Sequence, residues 1–375
     1  MKAGREWLRR AAGAFLVAAA LCGGAGAQAV IAPRVVVLVY FEVGHDTGDR
    51  PGELQLWAER DHLDRVIEVP GMSRAVRANA EGTEIAVAVG PGAIRPAANV
   101  MALGLSPLFD LRRSYWLING IAGVSPEDGT IGGAFWTDYV VNGDLVRAID
   151  PREMPKGWPD GFYALDKTRP EEQPRTEAGT VDDVRSWRAE GAKIDTRGTV
   201  VRMNPRLMRW AYEQTKDVQL EQTEAMRRVS ARFRGFPKAQ ERPGVGVGAN
   251  LTTEAFWHGA RMDAWAHRWV RYETDGRARF ATTAENDSGA IVALSALTKA
   301  GRADWNRAML LRTASNFDRQ PAGMTAEASA NSEKHGEYTG YLPALEAAYR
   351  VGERVVQAIE GGWAGYAERL PSGRD

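Results

Sequence analysis

The sequence predicts an α/β protein in one domain, with a central, mostly parallel sheet flanked by helices. Three observations carry that expectation: a continuous β-branched run at 35–40, a second strand at 84–89 closed by a glycine turn, and a helical stretch leading to a third strand. Residues 35–40 (VVVLVY) are apolar without alternation, the pattern of a strand buried on both faces. Residues 84–89 (EIAVAV) end in Gly90-Pro91-Gly92, and 95–105 then read as a helix, with Pro96 tolerated in its first turn. The strand at 114–118 runs into a second glycine turn, Asn119-Gly120-Ile121-Ala122-Gly123. Strand, glycine turn, helix, strand, glycine turn is the order of a parallel sheet with crossover helices.

Residues 150–200 carry many prolines and charges, with Trp158 and Trp187 scattered among them, and read as an inserted loop region. Asn204-Pro205 places a capping residue before a first-turn proline and opens a helix expected to reach about residue 233. After a turn-rich connection at 234–243 come a weak strand at 245–250, a helix at 287–299 stopped by Gly301, and a strand at 308–313. A last helix at 343–360 lines up Leu345, Ala348, Val351, Val355 and Ile359 on one face. No internal repeat is visible.

The amino terminus reads as a secretory leader. Lys2, Arg5, Arg9 and Arg10 precede an apolar run at 11–21, and small residues follow, ending in Ala27-Gln28-Ala29. Cleavage is expected after Ala29, leaving 30–375 as the mature, periplasmic domain; an uncleaved anchor and a lipoprotein on Cys22 are the alternatives. The apolar run is shorter than the roughly 20 residues a bilayer span takes. Loss of the leader shifts the formal charge from zero to −3, which gives no electrostatic reason to expect nucleic acid or anionic lipid as a partner. It also removes the only cysteine, so the mature chain has no disulfide, thiol catalysis or cysteine metal site. No later apolar run reaches membrane length, so a conducting path would need another protein.

Several chemistries lack their residues. Five histidines are scattered, and His258 and His267 stand nine apart, a spacing that suggests no metal site. There is no G-x-S-x-G elbow, and Gly90-Pro91-Gly92 lacks the lysine of a P-loop and the full Rossmann pattern, so no cofactor is expected. By itself that triplet reads as a strand-to-helix turn.

The ordered set of blocks says more. It comprises Gly90-Pro91-Gly92-Ala93-Ile94-Arg95-Pro96-Ala97-Ala98-Asn99, Leu105-Ser106-Pro107-Leu108-Phe109-Asp110-Leu111, Tyr115-Trp116-Leu117-Ile118-Asn119-Gly120-Ile121-Ala122-Gly123, Asp150-Pro151-Arg152-Glu153-Met154-Pro155 and Leu311-Arg312-Thr313-Ala314-Ser315-Asn316-Phe317-Asp318-Arg319. Together they resemble the purine nucleoside permease family, from about residue 34 to 366. They are also similar, at greater distance, to the nucleoside phosphorylase and nucleosidase superfamily, through Ile118–Gly123, Thr252–Gly259, Thr283–Asp287 and Arg312–Asn316.

The resemblance implies an exported purine nucleoside-binding protein that takes part in nucleoside transport; cleavage of the N-glycosidic bond, as nucleosidase or phosphorylase, is the alternative. An inner-membrane transporter and self-association are the partners it leaves open. Carried over residue by residue, Phe256 would stack on the base and Glu285 would accept the ribose hydroxyls. Gly90, Asn119, Gly120, Thr252 and Arg312 would line the substrate site. Glu42 would activate water, with His45 and Arg50 on the same loop, and Asn316 or Asp318 would serve the leaving base. Each has a plainer reading: Phe256 as core, Glu285 as a helix cap, Asn316 as a turn residue, Glu42 as a solvated charge. Asn316 stands where the superfamily often has aspartate, and an amide cannot deliver a proton as an acid does. The second glycine turn offers Leu117 and Ile121, both apolar, where phosphorylases need phosphate-binding groups, which favours a binder or hydrolase.

Overall fold

The computed structural model describes residues 29–173, 191–194, 199–285, 287–332 and 339–372. The expected leader cleavage site, Trp187 and Asn286 therefore lie wholly or partly outside the described residues.

The first expected strand forms as β1 (Val35–Val39), buried throughout, and pairs in parallel with β4 (Glu84–Ala88) and β5 (Tyr115–Val124). Between β1 and β4 lie the short helix α1 (Gln55–Arg60) and the strands β2 (Arg65–Ile67) and β3 (Val76–Ala78). Helix α2 (Ile94–Leu105) follows β4 as expected, and Gly90 and Gly92 both take positive φ in the turn between them.

The second glycine turn is not a turn. Residues 119–123 continue β5, whose backbone pairs with β13 (Ala308–Phe317) in parallel and β12 (Phe280–Ala284) in antiparallel sense. Glycine is needed there for space: a Cβ on Gly120 would stand 2.5 Å from both Arg312 Nη1 and Glu53 Oε1.

The sheet also departs from the mostly parallel expectation. With β6 (Ala134–Asn142), β9 (Lys193–Ile194), β10 (Val200–Arg202) and β11 (Val245–Thr252), its order is β2-β3-β4-β1-β5-β12-β11-β6-β10-β9, and β13 pairs both β5 and β6. Strand β11 joins β12 to β6, so β5, β12, β11, β6 and β13 close into a ring. Parallel and antiparallel pairs mix around it, and the result is a mixed barrel extended by a wing in which β1 and β4 run parallel to β5 while β2 and β3 pair antiparallel. The hairpin strands β7 (Val146–Ala148) and β8 (Phe162–Ala164), the edge strand β9, and β10, which joins β9 to β6, lie in or beside the region expected to be loop.

The expected helix from Asn204 is two helices. Asn204 caps α3 (Pro205–Thr215), and Thr223 caps a fresh start at α4 (Glu224–Ser230), its Oγ1 accepting the Met226 N–H at 3.1 Å. A four-residue turn α5 (Pro237–Gln240), helix α6 (Ala260–Glu273) after β11, α7 (Asp287–Lys299), α8 (Ala326–Ser332), α9 (Tyr341–Gly361) and α10 (Trp363–Tyr366) complete the chain.

Leu103 of α2 and Leu294 of α7 share one core with alternate β1 and β5 side chains. Val351 and Val355 of α9 and Trp210 of α3 share another with the intervening ones, such as Val37 and Leu117. Both faces of these strands are thus covered, which is why their sequences run apolar without alternation. Among the described residues no helix is long and apolar enough to cross a membrane.

Candidate functional site

A cleft of about 430 Å³ opens where the strands β1, β12 and β13 end. Tyr40 and Phe41 come from just past β1, Ile121 to Gly123 from β5, Thr283 to Glu285 from the end of β12, and Arg312, Ser315 and Asn316 from β13. Val43, Arg50, Glu53, Pro91, Phe256 and Tyr341 complete the lining.

A bulge decides what β13 presents. Ala314 pairs with Ala122 and Asn316 with Gly123, which leaves Ser315 as the extra residue. Consecutive side chains on a regular strand point to opposite faces, but Ser315 and Asn316 both line the cleft. The Ser315 hydroxyl donates to Asn316 Oδ1 at 2.8 Å, and Asn316 Nδ2 donates to the Phe317 carbonyl at 3.1 Å.

Beneath the cleft lies a buried polar network. Arg312, 1% exposed, forms a two-pronged pair with Asp287, packs its guanidinium 4.7 Å from the centre of the Tyr40 ring, and donates to the Ile121 carbonyl at 3.3 Å. The Tyr40 hydroxyl donates to Asp287 Oδ1 at 2.7 Å and Asn250 Nδ2 to Asp287 Oδ2 at 2.6 Å. Burial alone would depress Arg312, but Asp287 and Tyr40 hold it charged, above its ordinary value.

Glu53 is the carboxylate that this network leaves for the cleft. Its Oε2 accepts the Tyr40 N–H at 2.7 Å and its Oε1 the Ile121 N–H at 2.8 Å. Burial pushes it up to about 7 against the opposing pull of Arg312 and those N–H groups.

The expected residues divide. Phe256, 54% exposed, and Glu285 line the same cleft, with Arg312, Asn316 and Arg50. Phe256 and Asn316 also border a second cleft of about 200 Å³ that contains His258 and Arg319. Burial raises Glu285 above the ordinary carboxylate range, and the nearby Glu254 charge adds to that.

Glu42 stands outside the lining. Its carboxylate accepts the N–H groups of Leu54 at 2.8 Å and Gln55 at 2.7 Å, together with those of Val43 and Gly52, and so caps α1. His45 is likewise outside; its N–H binds Asp49 Oδ2 at 2.9 Å. Asn119 is fully buried and donates to the Ala348 carbonyl at 2.9 Å, tying β5 to α9. Gly90, Gly120 and Thr252 stand outside the lining of this cleft. Asp318, 1% exposed, lies beyond the cleft beside Asp263; burial first, and then that neighbour, push it well above its ordinary value.

The first glycine turn is occupied from within the chain. Glu254 Oε1 accepts the Ala93 N–H at 2.6 Å, at the start of α2, where no local side chain caps the helix. A Cβ on Gly92 would meet Glu254 Oε2 at 2.7 Å. A helix amino terminus next to glycines is where an anion binds readily, and here a side-chain carboxylate takes that place.

Sequence reasoning missed Glu53, Tyr40 and Tyr341. Glu53 follows the loop after β1, which the Phe41 carbonyl closes by accepting the Glu53 N–H at 3.0 Å. The signal that was present is a lone glutamate just before the amphipathic start of α1.

Among solved structures, the chain resembles a 5'-methylthioadenosine/S-adenosylhomocysteine nucleosidase of Streptococcus pneumoniae, with TM-score 0.48 and 13% identity, covering 87% of this chain and 99% of that one. It also resembles a futalosine hydrolase of Helicobacter pylori, with TM-score 0.45 and 10% identity, covering 87% of this chain and 98% of that one. Among curated proteins, a Schizosaccharomyces pombe protein named "Probable purine nucleoside permease" is 26% identical over 347 residues, covering 90% of this chain and 92% of its own. A Candida albicans purine nucleoside permease is 26% identical over 345 residues, covering 89% of this chain and 77% of its own. The family model described as purine nucleoside permease (NUP) matches residues 32–371, nearly the whole sequence. The chain belongs to the purine nucleoside permease family.

Proposed function

We propose that this protein captures a purine nucleoside in the cleft and takes part in nucleoside transport, with passage through the bilayer left to a membrane partner. The observation that carries the reading is the meeting of Phe256 and Glu285 on one cleft of about 430 Å³. An aromatic face suits a flat base, and a carboxylate accepts two neighbouring ribose hydroxyls. A volume of this order is ordinary for a small-molecule site. Family membership supports the purine nucleoside as the ligand. Residues 1–29 serve in this reading as the export leader, and 30–375 as the periplasmic, nucleoside phosphorylase-like domain.

Glu53 favours a second reading, slow hydrolysis. A carboxylate titrating near 7 beside the cleft can take a proton from water as its oxygen bonds to the anomeric carbon and the bond to the base breaks. Asn316 cannot protonate the departing base, so solvent must, and turnover is slow. Phosphorolysis is disfavoured, because Glu254 fills the glycine turn and Arg312 is committed to Asp287.

Calorimetry with inosine, adenosine and guanosine tests the binding reading, and no heat with any of them at millimolar concentration overturns it. Chromatography of the same mixtures, with and without phosphate, separates the readings. Intact nucleoside supports the binder, free ribose the hydrolase, and ribose 1-phosphate a phosphorylase.

A further inference from the structure

We propose that Asp61, Glu84 and Glu353 hold a calcium ion at the end of β1 and β4 remote from the nucleoside cleft. The three carboxylates come from separate elements: Asp61 closes α1, Glu84 begins β4, and Glu353 lies in the middle of α9. One oxygen of each lies within 4.8 Å of the others. Oxygens bound to calcium at about 2.3–2.6 Å stand no farther apart than about twice that distance, so one ion can reach all three.

The second observation is the state of these groups. Glu84 is 4% exposed, and its Oε1 has no hydrogen-bond partner. Asp61 Oδ2 and Glu353 Oε2 are likewise buried without a donor, and the groups Asp61 does meet at hydrogen-bonding range include the other two carboxyls themselves. Among the described residues no lysine or arginine pairs with any of the three. Arg60, adjacent to Asp61, is bound to Glu346 at 2.8 Å, and Arg350 also turns to Glu346. Glu360 adds a fourth negative charge that acts on the other three. Buried carboxylates without a cation are costly, and they are relieved either by a metal or by shared protons. An all-oxygen, carboxylate-rich donor set from three separate elements fits a hard ion of variable coordination, which is calcium rather than zinc. The Tyr349 hydroxyl, donating to Asp61 Oδ1 at 2.6 Å, orients one ligand from outside.

The site ties the helix that follows Glu53 to the helix that carries Tyr341. Helix α1 starts two residues after Glu53, and α9 begins with Tyr341. A bound ion clamps both onto β4.

The test uses the whole mature protein, stripped with chelator. Calcium titrated in a calorimeter is expected to bind at one site, and at a hundredfold excess over Kd to raise Tm by roughly 4 °C. Glu84→Gln is expected to weaken calcium binding by roughly tenfold or more and to lose the Tm shift. Glu353→Gln, at a half-buried helix position, gives the same result and serves if the first variant does not fold. A wild-type Tm that calcium leaves unmoved overturns the proposal and leaves the carboxylates sharing protons. A calcium response undiminished in either variant places the ion elsewhere and also overturns it. An equal response to magnesium, or a response to zinc alone, overturns the assignment to calcium.

Discussion

Burial decides what each carboxylate around the cleft can do. Glu42 spends its oxygens on the N–H groups that open α1, whereas Glu53 keeps one face toward the cleft and titrates near 7. An acid raised on folding favours the protonated fold. Its stabilisation is therefore complete below about 4.5 and is lost as pH rises through about 7. Between pH 5 and 8 the wild type is expected to lose about 3 kcal/mol more stability than Glu53→Gln, measured by urea unfolding at each pH. Any hydrolysis should rise with pH across the same window, because the base is the ionised form, and should vanish in Glu53→Gln. In the proposed nucleoside complex Glu285 and Phe256 meet the ligand directly. Glu285→Ala is expected to weaken inosine binding by about 2 kcal/mol, through loss of two charge-assisted bonds. Phe256→Ala is expected to cost about 1 kcal/mol through lost stacking. Calorimetry that returned wild-type affinity for both would remove them from the site.

At the scale of elements, the cleft depends on two departures from regular structure. Gly120 lets the Glu53 carboxylate and the Arg312 guanidinium approach β5 from outside its backbone, and the bulge at Ser315 turns Asn316 into the cleft. Neither was legible in the sequence. A glycine-rich segment reads as a turn unless the strands that pair with it are known, and a bulge is a property of two strands together. The α2 cap is equally non-local, since Glu254 reaches Ala93 from the far side of the chain. Glu254→Ala should destabilise the protein by about 1 kcal/mol, the loss of one charged helix cap. The same change exposes the α2 amino terminus, so phosphate should stabilise the variant in thermal melts while leaving the wild type unmoved. A wild type that responds to phosphate equally would return the phosphorylase reading to the front.

At the scale of the whole molecule, the described chain is a mixed sheet that closes into a ring at its centre, with helices packed on its faces and the cleft at the strand ends. Among the described residues no helix is long and apolar enough to cross a membrane, and the transport role proposed above gives this chain the capture step and leaves passage to a membrane partner. Intact-mass analysis of protein recovered from the periplasm is expected to give a chain starting at Val30. Recovery of a chain that retains Met1 would reject the leader.

The amino-acid sequence determined the buried strands β1 and β4, the helices α2, α7 and α9, and the order of blocks that marks the family. Each of these is written in consecutive residues: unbroken apolar runs, glycine stops, one-sided helical spacing. It also put Phe256, Glu285, Arg312 and Asn316 forward by local resemblance. The closure of the ring through β13, the choice of Glu53 over Glu42 and the carboxylate cluster of Asp61, Glu84 and Glu353 were decided only by the tertiary structure. Those features join residues up to about three hundred positions apart. The cost or use of a charge there depends on its neighbours in space and on the water they exclude, and neither is encoded in local periodicity.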